Sequence, residues 1–277
     1  MPSMKQTLFI CHILSLFFYV QASCGTEVNL HELAGKGDIE GLTRLLRHRD
    51  GVIRSSAAVE LSNAIRSVKT DKRLTPLVRQ HLESSLEDPY QTVREHAARS
   101  FQHSMRNISH QPTLQSLVPI LADSLHSKEV ELKRRRFAAV MLAELMPRIE
   151  NANVMRLVLP EILDSTLNDS DEQTQEYSGR AVQISLRKIT YPDALSEAAK
   201  RLTITLKDKD SKRRQYAAIQ LSEVVPKITG QKVIRHIAPT IEKVAQSDPD
   251  PTIREYMGRA DRHLQKKAVD NNRSVSN

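Results

Sequence analysis

The sequence predicts an all-α protein in which similar helical hairpins are stacked in a row to form a solenoid. A pattern of residue types recurs every 39 to 41 residues from Arg54 to the end of the chain. Within each recurrence the small and apolar residues keep helical spacing, and no strand pattern competes with it. A fixed period in this range is typical of repeat proteins, which usually serve as binding surfaces and not as catalysts.

The pattern is easiest to follow from one position, numbered zero, in each of six units. Position zero is arginine in five units and glutamine in the fourth: Arg54, Arg94, Arg135, Gln175, Arg214 and Arg254. The residue six positions earlier is acidic in five units: Asp88, Glu129, Asp169, Asp208 and Asp248. Four positions after zero every unit has alanine or glycine. Positions 0, 4, 7, 11 and 14 share one helix face, so each unit is predicted to contain a second helix with one buried stripe.

A first helix is predicted upstream of each second helix. It ends near an apolar residue eight or ten positions before zero, at Leu46, Leu86, Leu125, Leu167 and Leu206. Prolines near the start of this helix are tolerated, because the amides of a first turn have no helical partner. Each unit is therefore predicted to be a helical hairpin.

The acid-to-arginine spacing resembles the HEAT repeat, an armadillo-like α-solenoid family. The segments DPYQTVREHAARSF (88–101), DKDSKRRQYAAIQL (208–221) and DPDPTIREYMGRAD (248–261) carry the resemblance most clearly. It implies a right-handed α-α superhelix in which acidic residues and arginines form a structural ladder: Asp88, Arg94, Arg135, Asp208, Arg214, Asp248 and Arg254. It implies little about function, because HEAT proteins have many roles.

The N-terminus lies outside the repeat pattern. Lys5 precedes an apolar run from Leu8 to Val20, which is too short to span a membrane but is typical of a signal peptide. Cleavage after Ala22 gives a mature start at Ser23. A bacterial lipoprotein signal instead makes Cys24 the lipid-bearing first residue, although leucine is expected where Gln21 stands. An uncleaved tail or a misassigned start is the remaining alternative.

These patterns divide the chain into four segments. We predict a signal peptide over residues 1–22, a short linker over 23–35, the repeat solenoid over 36–268 and a disordered tail over 269–277. The formal charge is +8 with a pI near 9.5, and the basic residues are spread over all units. This charge favours acidic partners.

A candidate partner-binding surface lies on the second helices, opposite the buried stripe. Position two is aromatic and position thirteen is cationic in several units, which predicts a row formed by Phe137, Tyr177, Tyr216, Tyr256, Arg148, Lys188 and Lys227. Exposed aromatic rings are common interface anchors, and neighbouring cations attract carboxylates or phosphates. In the competing interpretation, each ring packs against the adjacent second helix and only stiffens the stack.

No motif of catalysis, phosphate binding or zinc binding is present, so we expect no enzyme activity, cofactor or metal site. The sequence favours an exported, non-enzymatic scaffold that binds a protein partner with an acidic segment, held at a membrane if Cys24 is lipidated. Export would separate the chain from nucleic acid. The alternative is a cytosolic, basic HEAT-like protein that binds nucleic acid or serves as a regulatory or assembly subunit of an enzyme.

Overall fold

The computed structural model describes residues 30–125 and 131–275, which form fourteen α-helices and no strand. The helices are α1 (Leu30–Gly35), α2 (Ile39–Leu45), α3 (Gly51–Ala64), α4 (Asp71–Leu74), α5 (Val78–Glu87), α6 (Gln91–Asn107), α7 (Gln111–Asp123), α8 (Leu132–Leu145), α9 (Ala152–Asn168), α10 (Glu172–Lys188), α11 (Pro192–Thr205), α12 (Ser211–Val224), α13 (Gln231–Ser247) and α14 (Pro251–Val275). Short 3-10 turns follow three of them, at Ile65–Ser67, Met146–Arg148 and Val225–Lys227.

These helices form six hairpins in chain order. The second helices of units 1 to 6 are α3, α6, α8, α10, α12 and α14, and each packs against the first helix of its own unit. Second helices also pack on those of neighbouring units, as α3 does on α6 and α12 on α14. The predicted all-α repeat fold is confirmed.

Aspartate side chains fix where several second helices begin. Asp50 accepts a hydrogen bond from the Val52 amide at 2.8 Å, and Asp210 accepts one from the Lys212 amide at 2.8 Å. Such N-caps satisfy amides that have no partner inside the helix. The acidic turns of the sequence pattern therefore have a local structural role.

The apolar stripe of each second helix forms one continuous core with the first helices. Position seven is fully buried in the first five units, at Leu61, Phe101, Leu142, Val182 and Leu221. The leucines that end the first helices are buried as well. Burying side chains of this size contributes about 1.5 to 3 kcal/mol each, so the core is the main source of stability.

Both ends of the described chain contain more helix than the sequence pattern predicted. Helix α1 lies inside the segment assigned to a linker, and Leu30 and Leu33 pack against the core. Helix α14 continues to Val275, through most of the segment predicted to be a disordered tail. Its first part is held by the buried stripe, and no proline or glycine follows to end it. The predicted leader lies outside the described residues.

The hairpin topology gives the solenoid two edges of different composition. At the turn edge, the first helix of a unit passes into the second helix. At the loop edge, the second helix of one unit passes into the first helix of the next. All second helices begin at the turn edge and end at the loop edge.

Candidate functional site

Two of the four predicted rings contact the second helix of the preceding unit. Phe137 meets the ring of Phe101 edge-on, with the centroids 5.9 Å apart. Tyr216 packs over Gly179, where an added Cβ would lie 3.0 Å from the ring. Burial raises the pKa of the Tyr216 hydroxyl. Glycine at position four of unit 4 therefore makes room for the ring of unit 5.

The other two rings, Tyr177 and Tyr256, each have an arginine of the same helix over one face. The Arg180 guanidinium lies 4.9 Å from the Tyr177 centroid, and that of Arg259 lies 5.4 Å from the Tyr256 centroid. Both rings are half-buried and pack against the core. All four rings thus have intramolecular neighbours, but only Phe137 and Tyr216 are shown against the adjacent second helix as the stiffening interpretation describes, and each ring keeps a partly exposed surface.

The three predicted cations cap the second helix of the preceding unit. Lys188 Nζ donates to Pro147 O at 2.7 Å and to Ile149 O at 2.9 Å. Lys227 Nζ donates to Leu186 O at 2.8 Å and to Arg187 O at 2.7 Å. The last carbonyls of a helix have no helical partner, so a cation from the next unit satisfies them.

The same arrangement recurs in other units. Arg148 donates to Met105 O and Ile108 O of the unit before it. Lys267 donates to Val225 O at 3.1 Å and to Pro226 O at 2.9 Å. The cations at position thirteen therefore form a ladder of helix caps along the loop edge. Their position opposite the buried stripe did not predict this role.

A second ladder follows the turn edge and contains the predicted arginines and aspartates. Arg54, Arg135 and Arg214 each donate through Nε to the aspartate of the next unit, at distances of 2.7, 2.8 and 2.9 Å. The acceptors are Asp88, Asp169 and Asp248. These pairs link unit 1 to 2, unit 3 to 4 and unit 5 to 6.

Two further ladder arginines bind the turn of their own unit. Arg94 donates to Asp88 O at 2.8 Å, and Arg254 donates to Asp248 O. Arg94 also pairs with Glu131 of unit 3 at 3.0 Å. Glu129, the acidic residue six positions before Arg135, lies outside the described residues.

Unit 4 interrupts the turn-edge ladder. Gln175 donates to Asp169 O at 2.6 Å, as an arginine would, but it makes no bond to the aspartate of unit 5. That residue, Asp208, instead pairs with Arg213 of its own unit at 2.9 Å. Arg213 also donates to Leu167 O and to Asn168 Oδ1 of unit 4. Units 4 and 5 are therefore linked at the turn edge by Arg213 of unit 5 and not by an arginine of unit 4.

The excess positive charge of the chain is concentrated on the loop edge. Five loops connect the second helix of one unit to the first helix of the next. The eight-residue segments around these loops contain ten Lys and Arg but only three acidic residues: 66–73, 106–113, 147–154, 187–194 and 226–233. The matching segments of the turn edge in five units contain ten of each sign: 47–54, 87–94, 168–175, 207–214 and 247–254. The described part of the turn in unit 3, residues 131–135, adds three basic residues and one acidic residue. The loop edge is thus strongly basic, while the turn edge is close to balanced.

Within the five loop-edge segments, four cations are exposed and have neither an ion pair nor a side-chain hydrogen bond to a described residue: Arg66, Lys69, Lys72 and Lys232. The sequence pattern did not predict these four cations as surface residues, because they lie at position twelve or in the loop between two units and not opposite the buried stripe. Position twelve carries Arg66, Arg106, Arg187 and Lys266, a recurrence visible in the sequence.

The described residues contain neither a candidate metal site nor a candidate membrane span. Within residues 30–125 and 131–275, no three His, Cys, Asp or Glu side chains cluster as metal ligands would. No helix in that part of the chain is long and apolar enough to cross a membrane.

Comparison with known proteins supports the fold. No family model and no curated protein matches the sequence. The archaeal HEAT-like repeats protein of Thermococcus onnurineus NA1 is similar in structure, with a TM-score of 0.53 and 13% identity over 89% of this chain and 99% of that one. An engineered protein aligns at 19% identity over 83% of this chain and 97% of its own, with a TM-score of 0.49. The chain thus has the fold of a HEAT-like helical-repeat protein.

Proposed function

We propose that this chain is a non-enzymatic helical-repeat scaffold that binds an acidic segment of a protein partner along its second helices, at the loop edge. The observation that carries the proposal is the uneven charge, with ten cations and three acidic residues at the five joints of this edge. A one-sided field of this kind attracts and orients a partner of opposite charge.

The predicted surface residues take different parts in this proposal. Arg148, Lys188 and Lys227 lie at the loop edge and add to its field, although their donors are used by helix carbonyls. Exposed cations such as Lys69 and Lys232 supply free donors for carboxylates. The exposed parts of Phe137, Tyr177, Tyr216 and Tyr256 extend the surface along the second helices.

An acidic protein segment fits this edge better than insertion into a membrane or binding of a single-stranded nucleic acid does. Within the five loop-edge segments, all of which the structure describes, Tyr191 is the only large hydrophobic residue that is exposed. Only 37% of its surface is accessible. Insertion into lipid needs an apolar face, and single-stranded nucleic acids are usually bound by several stacked aromatic rings. Carboxylates spaced along a peptide need only the row of cations.

Charge reversal at the loop edge tests the proposal. The variant combines Arg66→Glu, Lys69→Glu, Lys72→Glu and Lys232→Glu. The matched control makes the same change of charge at exposed turn-edge positions, with Arg47→Glu, Arg49→Glu, Lys207→Glu and Lys209→Glu. The probe is a fluorescent 20-residue peptide with glutamate at every third position, measured by anisotropy at several salt concentrations.

The loop-edge variant is expected to weaken binding of this peptide at least tenfold, while the turn-edge control changes it by less than threefold. Equal losses in both variants would reduce the effect to net charge and contradict the proposal. A single-stranded oligonucleotide of equal charge serves as a second probe. Tighter binding of the oligonucleotide than of the peptide would favour the nucleic-acid alternative.

Export remains part of the proposal, supported by Lys5 and the apolar run from Leu8 to Val20. The intact mass of the native protein, measured in separate soluble and membrane fractions, tests it. A chain that starts at Ser23 supports a secreted protein, and one that starts at Cys24 with acyl mass supports a lipid-anchored protein. An uncleaved chain contradicts export.

A further inference from the structure

At the turn edge between units 4 and 5, Arg213 binds the Asp208 carboxylate and Gln175 binds Asp169 O, so one acceptor of the arginine ladder is left without a donor. In four other units the ladder arginine donates through Nη1 to the carbonyl five positions before it, at 3.2 Å from Arg54, 3.0 Å from Arg94 and 3.1 Å from both Arg214 and Arg254. The equivalent carbonyl of unit 4, Ser170 O, accepts no hydrogen bond from any described residue. The Gln175 side chain donates to Asp169 O and is too short to reach Ser170 O as well.

A cleft of about 450 Å³ opens at this joint. One wall is the start of α10, with Glu172, Gln175 and Glu176, and the other is the start of α12, with Asp210 and Tyr216. Leu167 and Thr166 contribute to the lining at the end of α9. The cleft therefore has polar acceptors from both second helices and apolar groups that could contact an aliphatic stem.

The charges at the cleft leave room for one more cation. Its two lining cations are already paired, Lys212 with Glu172 at 3.0 Å and Arg213 with Asp208 at 2.9 Å. Glu176 pairs with Arg180. Asp210 carries a fourth carboxylate, which caps α12 and forms no salt bridge with a described residue, although Lys212 lies near enough to interact with its charge. These groups together comprise four carboxylates and three cations.

We propose that this cleft binds the guanidinium group of an arginine side chain supplied by a partner protein, which donates to Ser170 O, the one carbonyl that the missing ladder arginine leaves unbonded. A guanidinium is planar and carries five N–H donors, so it can bind several acceptors at once. Ser170 O, the Gln175 side-chain oxygen and the carboxylates of Glu176 and Asp210 are the acceptors. The ring of Tyr216 and the side chain of Leu167 lie beside the methylene stem.

This site does not rest on the function proposed above, and the Tyr216 ring is the one residue that the two proposals share. The two surfaces lie at opposite ends of the second helices, and their partners carry opposite charge. A failure at one therefore says nothing about the other.

The test is a titration of the full ¹⁵N-labelled chain with the peptide acetyl-Gly-Arg-Gly-amide, followed through amide chemical shifts. We expect saturable shifts at Ser170, at the Gln175 side-chain amide and at residues near Tyr216. The same peptide with citrulline in place of arginine has nearly the same shape without the charge. It is expected to bind at least tenfold more weakly.

Gln175→Arg restores the ladder residue and should close the cleft, so binding is expected to fall at least tenfold. Gln173→Arg is the matched control, because it adds the same charge two residues away at an exposed position outside the cleft. It should leave affinity within threefold. Circular dichroism verifies that both variants fold. If Gln175→Arg does not fold, Gln175→Met removes the amide oxygen at similar volume and is expected to weaken binding likewise.

Three results would overturn the proposal. They are equal binding of the citrulline peptide, unchanged affinity in Gln175→Arg, and shifts spread over the carboxylates of the whole turn edge instead of this joint. The last result would mean non-specific ion pairing.

Discussion

Arg214 of unit 5 binds Asp248 of unit 6 across the turn edge, with its Nε atom 2.9 Å from the carboxylate. Only 12% of the arginine side chain and 5% of the aspartate side chain are exposed. The Asp248 carboxylate raises the pKa of the guanidinium. Arg214 also donates to Asp208 O and Lys209 O in the turn of its own unit. One side chain therefore holds units 5 and 6 in register.

Asp248→Asn tests the strength of this rung. Asparagine can still accept from the Asp250 amide, so the turn is retained while a half of the ion pair is removed. We expect a loss of about 2 to 3 kcal/mol in the free energy of unfolding, because the largely buried Arg214 loses its paired carboxylate and keeps only the more distant charges of Asp208 and Asp250. Urea denaturation measures it. Glu255→Gln, at an exposed pair with Arg259, is the control and should cost under about 0.5 kcal/mol. Equal effects of the two changes would contradict the special role of the rung.

Lys227→Met removes the cap that unit 5 places on the end of α10. The carbonyls of Leu186 and Arg187 lose their donor, and we expect the free energy of unfolding to fall by about 1 kcal/mol. Lys227→Arg keeps a cationic donor, as Arg148 does in unit 3, and is expected to lose less. Hydrogen exchange at the end of α10 should accelerate in the methionine variant alone. Similar destabilisation by both substitutions would point to side-chain packing and not to the cap.

His81 makes stability depend on pH. The ring is fully buried, with Nε2 2.9 Å from Thr43 Oγ1 and Nδ1 3.2 Å from Ser104 Oγ. Burial lowers its pKa from 6.5 to about 3. The unfolded chain therefore takes up this proton first, so stability is retained above pH 6.5 and lost as the pH falls below it. The loss approaches about 1.4 kcal/mol for each pH unit.

His81→Gln is expected to flatten this dependence between pH 6.5 and 4.5, measured by urea denaturation at several pH values. Burial also lowers the pKa of His96, so part of the slope should remain. Asp71, whose pKa is lowered to about 2 by bonds from Ser109 and Thr75, contributes only at lower pH. An unchanged slope in His81→Gln would assign the effect to other groups.

Tyr216→Ala separates stiffening from partner binding. Because the ring fills space over Gly179, its removal should leave a gap and cost about 2 kcal/mol in the free energy of unfolding. Tyr191→Ala, at an exposed ring of the loop edge, should cost less. Thermal denaturation and binding of the glutamate peptide are measured together. Normal melting with lost binding in Tyr216→Ala would instead mean that the ring is a partner anchor.

The period of the sequence was sufficient to predict the hairpins and their buried faces. Leu61, Phe101 and Leu142 are buried because they lie on the stripe that the 3.6-residue repeat defines. The departure at Gln175 was also visible in the sequence. Its consequence was not, because Arg213 reaches Asp208 and Leu167 through a contact between units that no spacing rule describes.

The candidate surface shows the same limit. A helical wheel placed Lys188 and Lys227 opposite the core, and both do lie outside it, but they bind carbonyls of the unit before. A wheel describes one helix, whereas the partner of a long side chain depends on how far the next helix is displaced along the stack.

The sequence by itself determined the fold class, the number of units and the core, because these follow from local periodicity and burial. Only the tertiary structure decided which charges are used inside the molecule and which are free. It paired the turn edge, left the loop edge basic and opened a cleft at one joint. Those outcomes depend on distances between units some 40 residues apart, which are set by packing and not by the order of residues within a unit.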